Sequence, residues 1–140
     1  MEINLDFFIN NIALIFLILF SGILLLFPRL ITSGRKNISI KDAVVLINRH
    51  PTFLVDVRNA GEFERSRINN SVNIPLDKLA ESIDKLKKNS NKTLIIYCQN
   101  GFQSAQAVKI LNKLGVDSVV SIEGGLEAWR KENLPIIMDS

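Results

Sequence analysis

One cysteine, Cys98, closes the apolar run Thr93–Tyr97 and opens the polar stretch Gln99-Asn100-Gly101-Phe102-Gln103-Ser104. The thiolate is the nucleophilic form of cysteine, and a free thiol titrates near about 8.5. A helix N-terminus favours the anion, because its first N–H groups have no partner within the helix and carry partial positive charge. A loop curled round the sulfur adds further amides as an anion nest. Gly101 permits the tight bend or positive φ that such a loop requires. Cys98 is therefore the candidate nucleophile, against the alternative that it fills the core as a small hydrophobe.

Other cysteine chemistries lack their second group. A cysteine phosphatase loop clamps its phosphate with an Arg at the sixth position after the thiol, and that position here is Ser104. A Cys-His hydrolase would have to use His50, the sole histidine, which precedes Pro51 at the far end of a strand from the strand's carboxyl end. One Cys and one His make no metal site, and one cysteine makes no internal disulfide.

The flanking elements place Cys98. Ser39 and Asp42 resemble a capping box, and Ile40, Ala43, Val44 and Ile47 then form one helical face. Thr52–Val57, Ser71–Pro75, Thr93–Cys98 and Asp117–Ile122 read as short strands. Leu76, Leu79, Ala80, Ile83 and Leu86 stripe one intervening helix, and Ala107, Ile110, Leu111 and Leu114 another, which Gly115 ends. Short apolar strands alternating with amphipathic helices predict a three-layer α/β domain with a parallel sheet flanked by helices. Ligands of such sheets bind outside the carboxyl ends of the strands, where Cys98 stands.

The N-terminal part has a different composition. Residues 1–6 are a short tail, and Phe7–Phe27 is uncharged. This run of roughly 21 residues makes a helix about 32 Å long, against a hydrocarbon thickness of about 30 Å. It predicts a single transmembrane helix over 7–27 in contact with the lipid bilayer. A cleaved leader fits poorly, since Glu2 and Asp6 precede the run, no Lys or Arg does, and no small-residue cleavage site follows. Residues 28–37 read as a basic linker, and residues 38–137 as the folded domain. Arg29, Arg35, Lys36 and Lys41 follow the span, so the positive-inside rule puts the N-terminus outside and the domain in the cytoplasm, at the cell (inner) membrane.

Three segments carry a family resemblance. Asp56–Pro75, Ile95–Ala107 and Glu123–Pro135 resemble, in order and spacing, the landmarks of a single-domain rhodanese, and with the N-terminal span the chain is similar to membrane-anchored bacterial rhodanese-like proteins. The resemblance covers about residues 38 to 137. It implies a sulfurtransferase that needs no cofactor or metal, with a small sulfur donor and a thiol acceptor as partners. Cys98 would carry the sulfane sulfur as a persulfide, with Gln99, Asn100, Gly101, Phe102, Gln103 and Ser104 as its substrate-binding cradle. Asp56 and Arg58 match the family's D-x-R motif and would organise the site, with Arg58 pairing to Glu62. Gly124, Gly125, Ala128 and Trp129 match a packing element beside it.

The chain departs from the family where charge matters. Gln99 and Gln103 stand at two usually basic positions, and Ser66-Arg67-Ile68 replaces the usual Gly-His-Ile. Arg67 is the candidate for restoring part of the lost positive field. Weak thiosulfate turnover and a preference for persulfide or small-thiol donors follow from the neutral loop. The competing expectation is a non-catalytic, membrane-tethered rhodanese-like module that binds a partner or senses redox or sulfur state. The formal charge of +3 comes from scattered basic residues; no basic face with interleaved aromatics supports nucleic-acid binding. No residue pattern designates a protein partner.

Overall fold

The computed structural model describes residues 4–32 and 36–139, which fall into one unit ending at Arg35 and another beginning at Lys36. The first unit holds helices α1 (Leu5–Asn10) and α2 (Ile12–Thr32). They meet at Asn11, where one unbroken helix was expected. The Asn11 backbone N–H donates to Phe7 O at 3.1 Å, and its side-chain Nδ2 donates to the same oxygen at 2.8 Å. An asparagine side chain that competes for a helical carbonyl loosens the turn it sits in.

Helix α2 continues past Pro28, where a stop was expected, to Thr32. A proline removes one hydrogen bond, and the Leu-rich flanks are strong helix formers. Most described apolar side chains of this unit, among them Phe7, Phe16, Leu17, Ile18, Phe20 and Leu25, are exposed. Among the described residues no helix is long and apolar enough to cross a membrane, so the span expected over 7–27 is not borne out by them. Residues 1–3 of the tail and 33–35 of the linker lie outside the described residues.

The second unit is built on a five-stranded sheet whose strand pairs are all parallel, ordered β1 (Asn37–Ile38), β6 (Val119–Ile122), β5 (Thr93–Tyr97), β2 (Thr52–Asp56), β4 (Ser71–Asn73). Helices cover both faces, so the central strands are apolar on both sides rather than alternating with polar residues. Strand periodicity sorts the side chains. On one face Val55, Val57, Leu94, Ile96 and Cys98 join Leu79, Leu86, Ala107, Val108 and Leu111. On the other, Leu54, Ile95, Tyr97 and Ile122 join Ala43, Leu126 and Trp129. The helices behind these contacts are α5 (Ile83–Lys88) and α6 (Phe102–Lys113) on the first face, and α3 (Ile40–Arg49) and α7 (Gly125–Lys131) on the second.

Ser39 caps α3 as expected, accepting from the Asp42 N–H at 3.2 Å. The stripe expected to form one helix from Leu76 is divided into a 3-10 turn at Leu76–Lys78 and α5. Leu79 and Leu86 are nonetheless fully buried, whereas Ala80 of the same expected stripe is exposed; Ser82, poor in a helix interior, marks the boundary. Strand β1 was not foreseen, because two residues give no periodicity. Nor was the antiparallel pair β3 (Ser66–Arg67) with β7 (Ile137–Met138). His50 caps the C-terminus of α3 and is exposed.

Candidate active site

Strand β5 delivers Cys98 to the carboxyl edge of the sheet, and α6 begins just beyond it. Gly101 makes the turn between them with φ +95, a conformation that costs a residue with a Cβ roughly 1–2 kcal/mol. The turn aims two backbone amides at the sulfur. Gly101 N donates to Cys98 Sγ at 3.1 Å and Ser104 N at 3.4 Å. Phe102 N donates to Asn100 Oδ1 at 3.1 Å rather than to sulfur. The thiol in turn donates to Ser104 Oγ at 3.5 Å, and that hydroxyl donates to Gly101 O at 3.1 Å.

The thiol is also deeper than a rim position. Cys98 is 1% exposed and packs in the apolar core beneath the loop. Beside the loop lies a depression of about 300 Å³ lined by Arg58, Glu62, Gln99, Asn100, Phe102 and Gln103. Phe102, 69% exposed, forms part of its wall.

Asp56 and Arg58 come together as expected, but the carboxylate partner of Arg58 is Asp56, not Glu62. Arg58 Nη2 and Nε reach Asp56 Oδ2 at 2.7 and 3.0 Å, both residues being buried. Asp56 also accepts from Arg58 N at 2.9 Å. Burial opposes the charge on Arg58, but the hydrogen bonds and charge of Asp56 outweigh it and leave the guanidinium above its ordinary pKa. Nη1 of Arg58 donates to Gln99 Oε1 at 3.3 Å, and Nη2 also donates to Ser66 O. Arg67, the candidate for supplying positive charge, is turned elsewhere: it pairs with Asp139 at 3.1 Å and lies over the Phe63 ring.

Helix α7 locks the loop from the other side. Leu126 N and Glu127 N donate to the carbonyls of Cys98 and Gln99 at 2.8 and 3.0 Å. This approach needs Gly125, since a Cβ there would collide with the Cys98 carbonyl oxygen and come within 2.9 Å of Gln99 C. Trp129 plugs the core and donates to Pro135 O at 3.0 Å.

Several supporting residues were not anticipated. Ser121 Oγ lies 2.9 Å from Ser104 Oγ, buried under the thiol; a lone hydroxyl inside the run Val119–Ile122 was the available signal. Asn73 Nδ2 donates to the carbonyls of Asp56 and Arg58 at 3.1 and 2.9 Å. Tyr97 Oη accepts from Ile68 N at 3.2 Å and lies 2.8 Å from Ser71 Oγ.

Burial first, and the charge of Asp56 second, push the Tyr97 phenol up to about 12. Its contribution to stability is therefore complete below the unfolded value near 10 and is lost as pH rises through about 12. Tyr97→Phe leaves the buried Ile68 N–H without its partner and should cost about 1–3 kcal/mol at neutral pH. Urea titration at pH 7 and above pH 10 checks both parts, with the alkaline loss of stability smaller in the variant.

Residues 39–132 match the family model of the rhodanese-like domain. Slr1261 of Synechocystis is 33% identical over 108 residues, covering 76% of this chain and 59% of its own length, so the chain spans little more than half of that relative. Thiosulfate sulfurtransferase GlpE of Shewanella oneidensis is 28% identical over 101 residues, covering 72% of this chain and 98% of its own. A rhodanese-related protein from Thermoplasma volcanium superposes with a TM-score of 0.65 at 32% identity, covering 74% of this chain and 98% of that one. With the sheet, the cysteine loop and the matched span in agreement, this chain belongs to the rhodanese-like family.

Proposed function

We propose that this chain is a membrane-anchored sulfurtransferase in which Cys98 carries sulfane sulfur as a persulfide. The observation that carries this reading is the pair of amides, Gly101 N and Ser104 N, directed at Sγ at the head of α6. In the first half-reaction the Cys98 thiolate attacks the outer sulfur of a donor. A new S–S bond forms, and the donor's own bond to that sulfur breaks, its electron pair leaving with the donor fragment. A thiol or other nucleophile then takes the outer sulfur and regenerates the Cys98 thiolate, so no net oxidant or reductant is required. The sulfurtransferase named among the relatives supports this chemistry. The neutral residues Gln99 and Gln103 support low turnover of dianionic thiosulfate.

The deep position of Cys98 favours one second reading, a non-catalytic module in which the thiol senses oxidant or sulfur. Intact-mass measurement after incubation with persulfide donors separates the two. Gain of one sulfur atom, removed again by a thiol acceptor, is expected; no gain from any donor rejects transfer chemistry and leaves the module.

Anchoring is supported by the uncharged run Phe7–Phe27, by the exposure of most of its described apolar side chains and by the basic residues that follow it. On this reading the domain faces the cytoplasm, where a single thiol stays reduced. Membranes from cells producing the full chain should retain it through an alkaline carbonate wash, and its C-terminus should be shielded from protease in intact spheroplasts. Release by the wash would remove the anchor from the proposal.

A further inference from the structure

The rim of the depression beside the Cys98 loop narrows the choice of donor. We infer that the site selects sulfane-sulfur donors bearing a cationic group, such as an ammonium-bearing small persulfide, over anionic ones, with Glu62 and Glu127 as the specificity-determining residues. This rests on the sulfurtransferase reading above.

Charged side chains stand at the loop: Arg58 and Glu62 line the depression, Asp56 pairs with Arg58, and Glu127 bonds Gln99. The one cation is already engaged, by Asp56 through Nε and Nη2, by Ser66 O and by Gln99 Oε1. Glu62 lines the depression and is half-buried; it makes no contact ion pair among the described residues, although its charge helps hold Arg58 protonated. Glu127 is exposed and accepts from Gln99 Nε2 at 3.4 Å; it too has no ion pair among the described residues. The Gln99 amide therefore spans the rim from Arg58 to Glu127 and adds no charge. Asn100 and Gln103 complete the lining without charge. A donor entering the depression meets Glu62, whose charge also acts on Arg58, with Glu127 beside it across Gln99; with Asp56, three carboxylates face one guanidinium, a field that attracts an ammonium group and repels a carboxylate or sulfonate.

The chemical step balances without a further reagent. The Cys98 thiolate attacks the terminal sulfur of the donor persulfide, the donor's S–S bond breaks, and its inner sulfur leaves as a thiolate that takes a proton from water.

The test uses the full chain in an uncharged detergent, with the persulfides of cysteamine, mercaptoethanol and mercaptopropionate. These share one reacting group and differ in distal charge. The rate of single-sulfur gain at Cys98 is read by intact mass and divided by each donor's rate with a free thiol. The expected order is ammonium, hydroxyl, carboxylate, with about tenfold between the ends at low salt, two exposed charge contacts each contributing a factor of a few. The ratio should shrink in high salt, approach one in Glu62→Gln/Glu127→Gln, and move toward the carboxylate donor in Gln103→Arg. If the variants do not fold, the salt dependence of the wild type decides. Equal or reversed rates with loading intact overturn the inference and leave the sulfurtransferase reading standing. No loading from any donor overturns both.

Discussion

Cys98→Ser folds like the wild type and takes up no sulfur. Serine is close in size, and its hydroxyl accepts from Gly101 N and Ser104 N in place of the sulfur, so the loop keeps its partners. What disappears is the nucleophile. An alcohol is weak at its own pKa unless a general base activates it, and among the described residues no histidine or carboxylate hydrogen-bonds to this position. Loss of kcat/KM by about 10³-fold or more is expected, as for removal of other catalytic nucleophiles. The chain holds no second cysteine to substitute. The loss is read as absent mass gain and absent sulfide release on adding thiol, in a protein whose circular dichroism is unchanged. Sulfur uptake by the variant within tenfold of the wild type would place the chemistry on another residue and end the case for Cys98.

The second large effect is on stability. Asp56→Ala removes the anion from a buried pair in which Asp56 is 0% and Arg58 3% exposed. The remaining guanidinium keeps Ser66 O and Gln99 Oε1, both neutral acceptors, and it cannot shed its proton. Breaking such a pair from one side costs about 3–5 kcal/mol, a large share of a typical domain stability of about 5–15 kcal/mol. Urea unfolding of the full chain in detergent should show the midpoint fall without a change in slope. Asp56→Leu/Arg58→Leu should recover part of the loss, because no charge is then stranded. A single variant as stable as the wild type would show that the pair is hydrated in solution and does not organise the site.

Arg58 shows why the sequence disclosed the parts of this site better than their wiring. Its place in the D-x-R motif identified it, but the motif and spacing pointed to Glu62, four residues on, as its partner. The choice depends on where β2 ends and how its last side chain turns, which no residue pattern encodes. Cys98 was legible because a strand, a glycine and a helix converge there. Its depth was not, since the same apolar residues that announce β5 also draw the sulfur into the core. The parallel sheet and both helical faces followed from periodicity. The two-residue strands did not, because their pairing is set by partners distant in the chain: Asn37–Ile38 against Ser121–Ile122, and Ser66–Arg67 against Ile137–Met138.

Strand β1 bears on where the domain can be cut. Ser121 N and Glu123 N donate to the carbonyls of Lys36 and Ile38 at 2.7 and 2.9 Å, and Lys36 Nζ is fastened to Asn112 Oδ1 and Asp117 O at 2.8 and 2.7 Å. These few residues lie outside the span matched by the family model, which begins at 39. A fragment trimmed to that boundary would lose the hem that covers β6 and offer a bare apolar strand to its neighbours, inviting edge-to-edge aggregation.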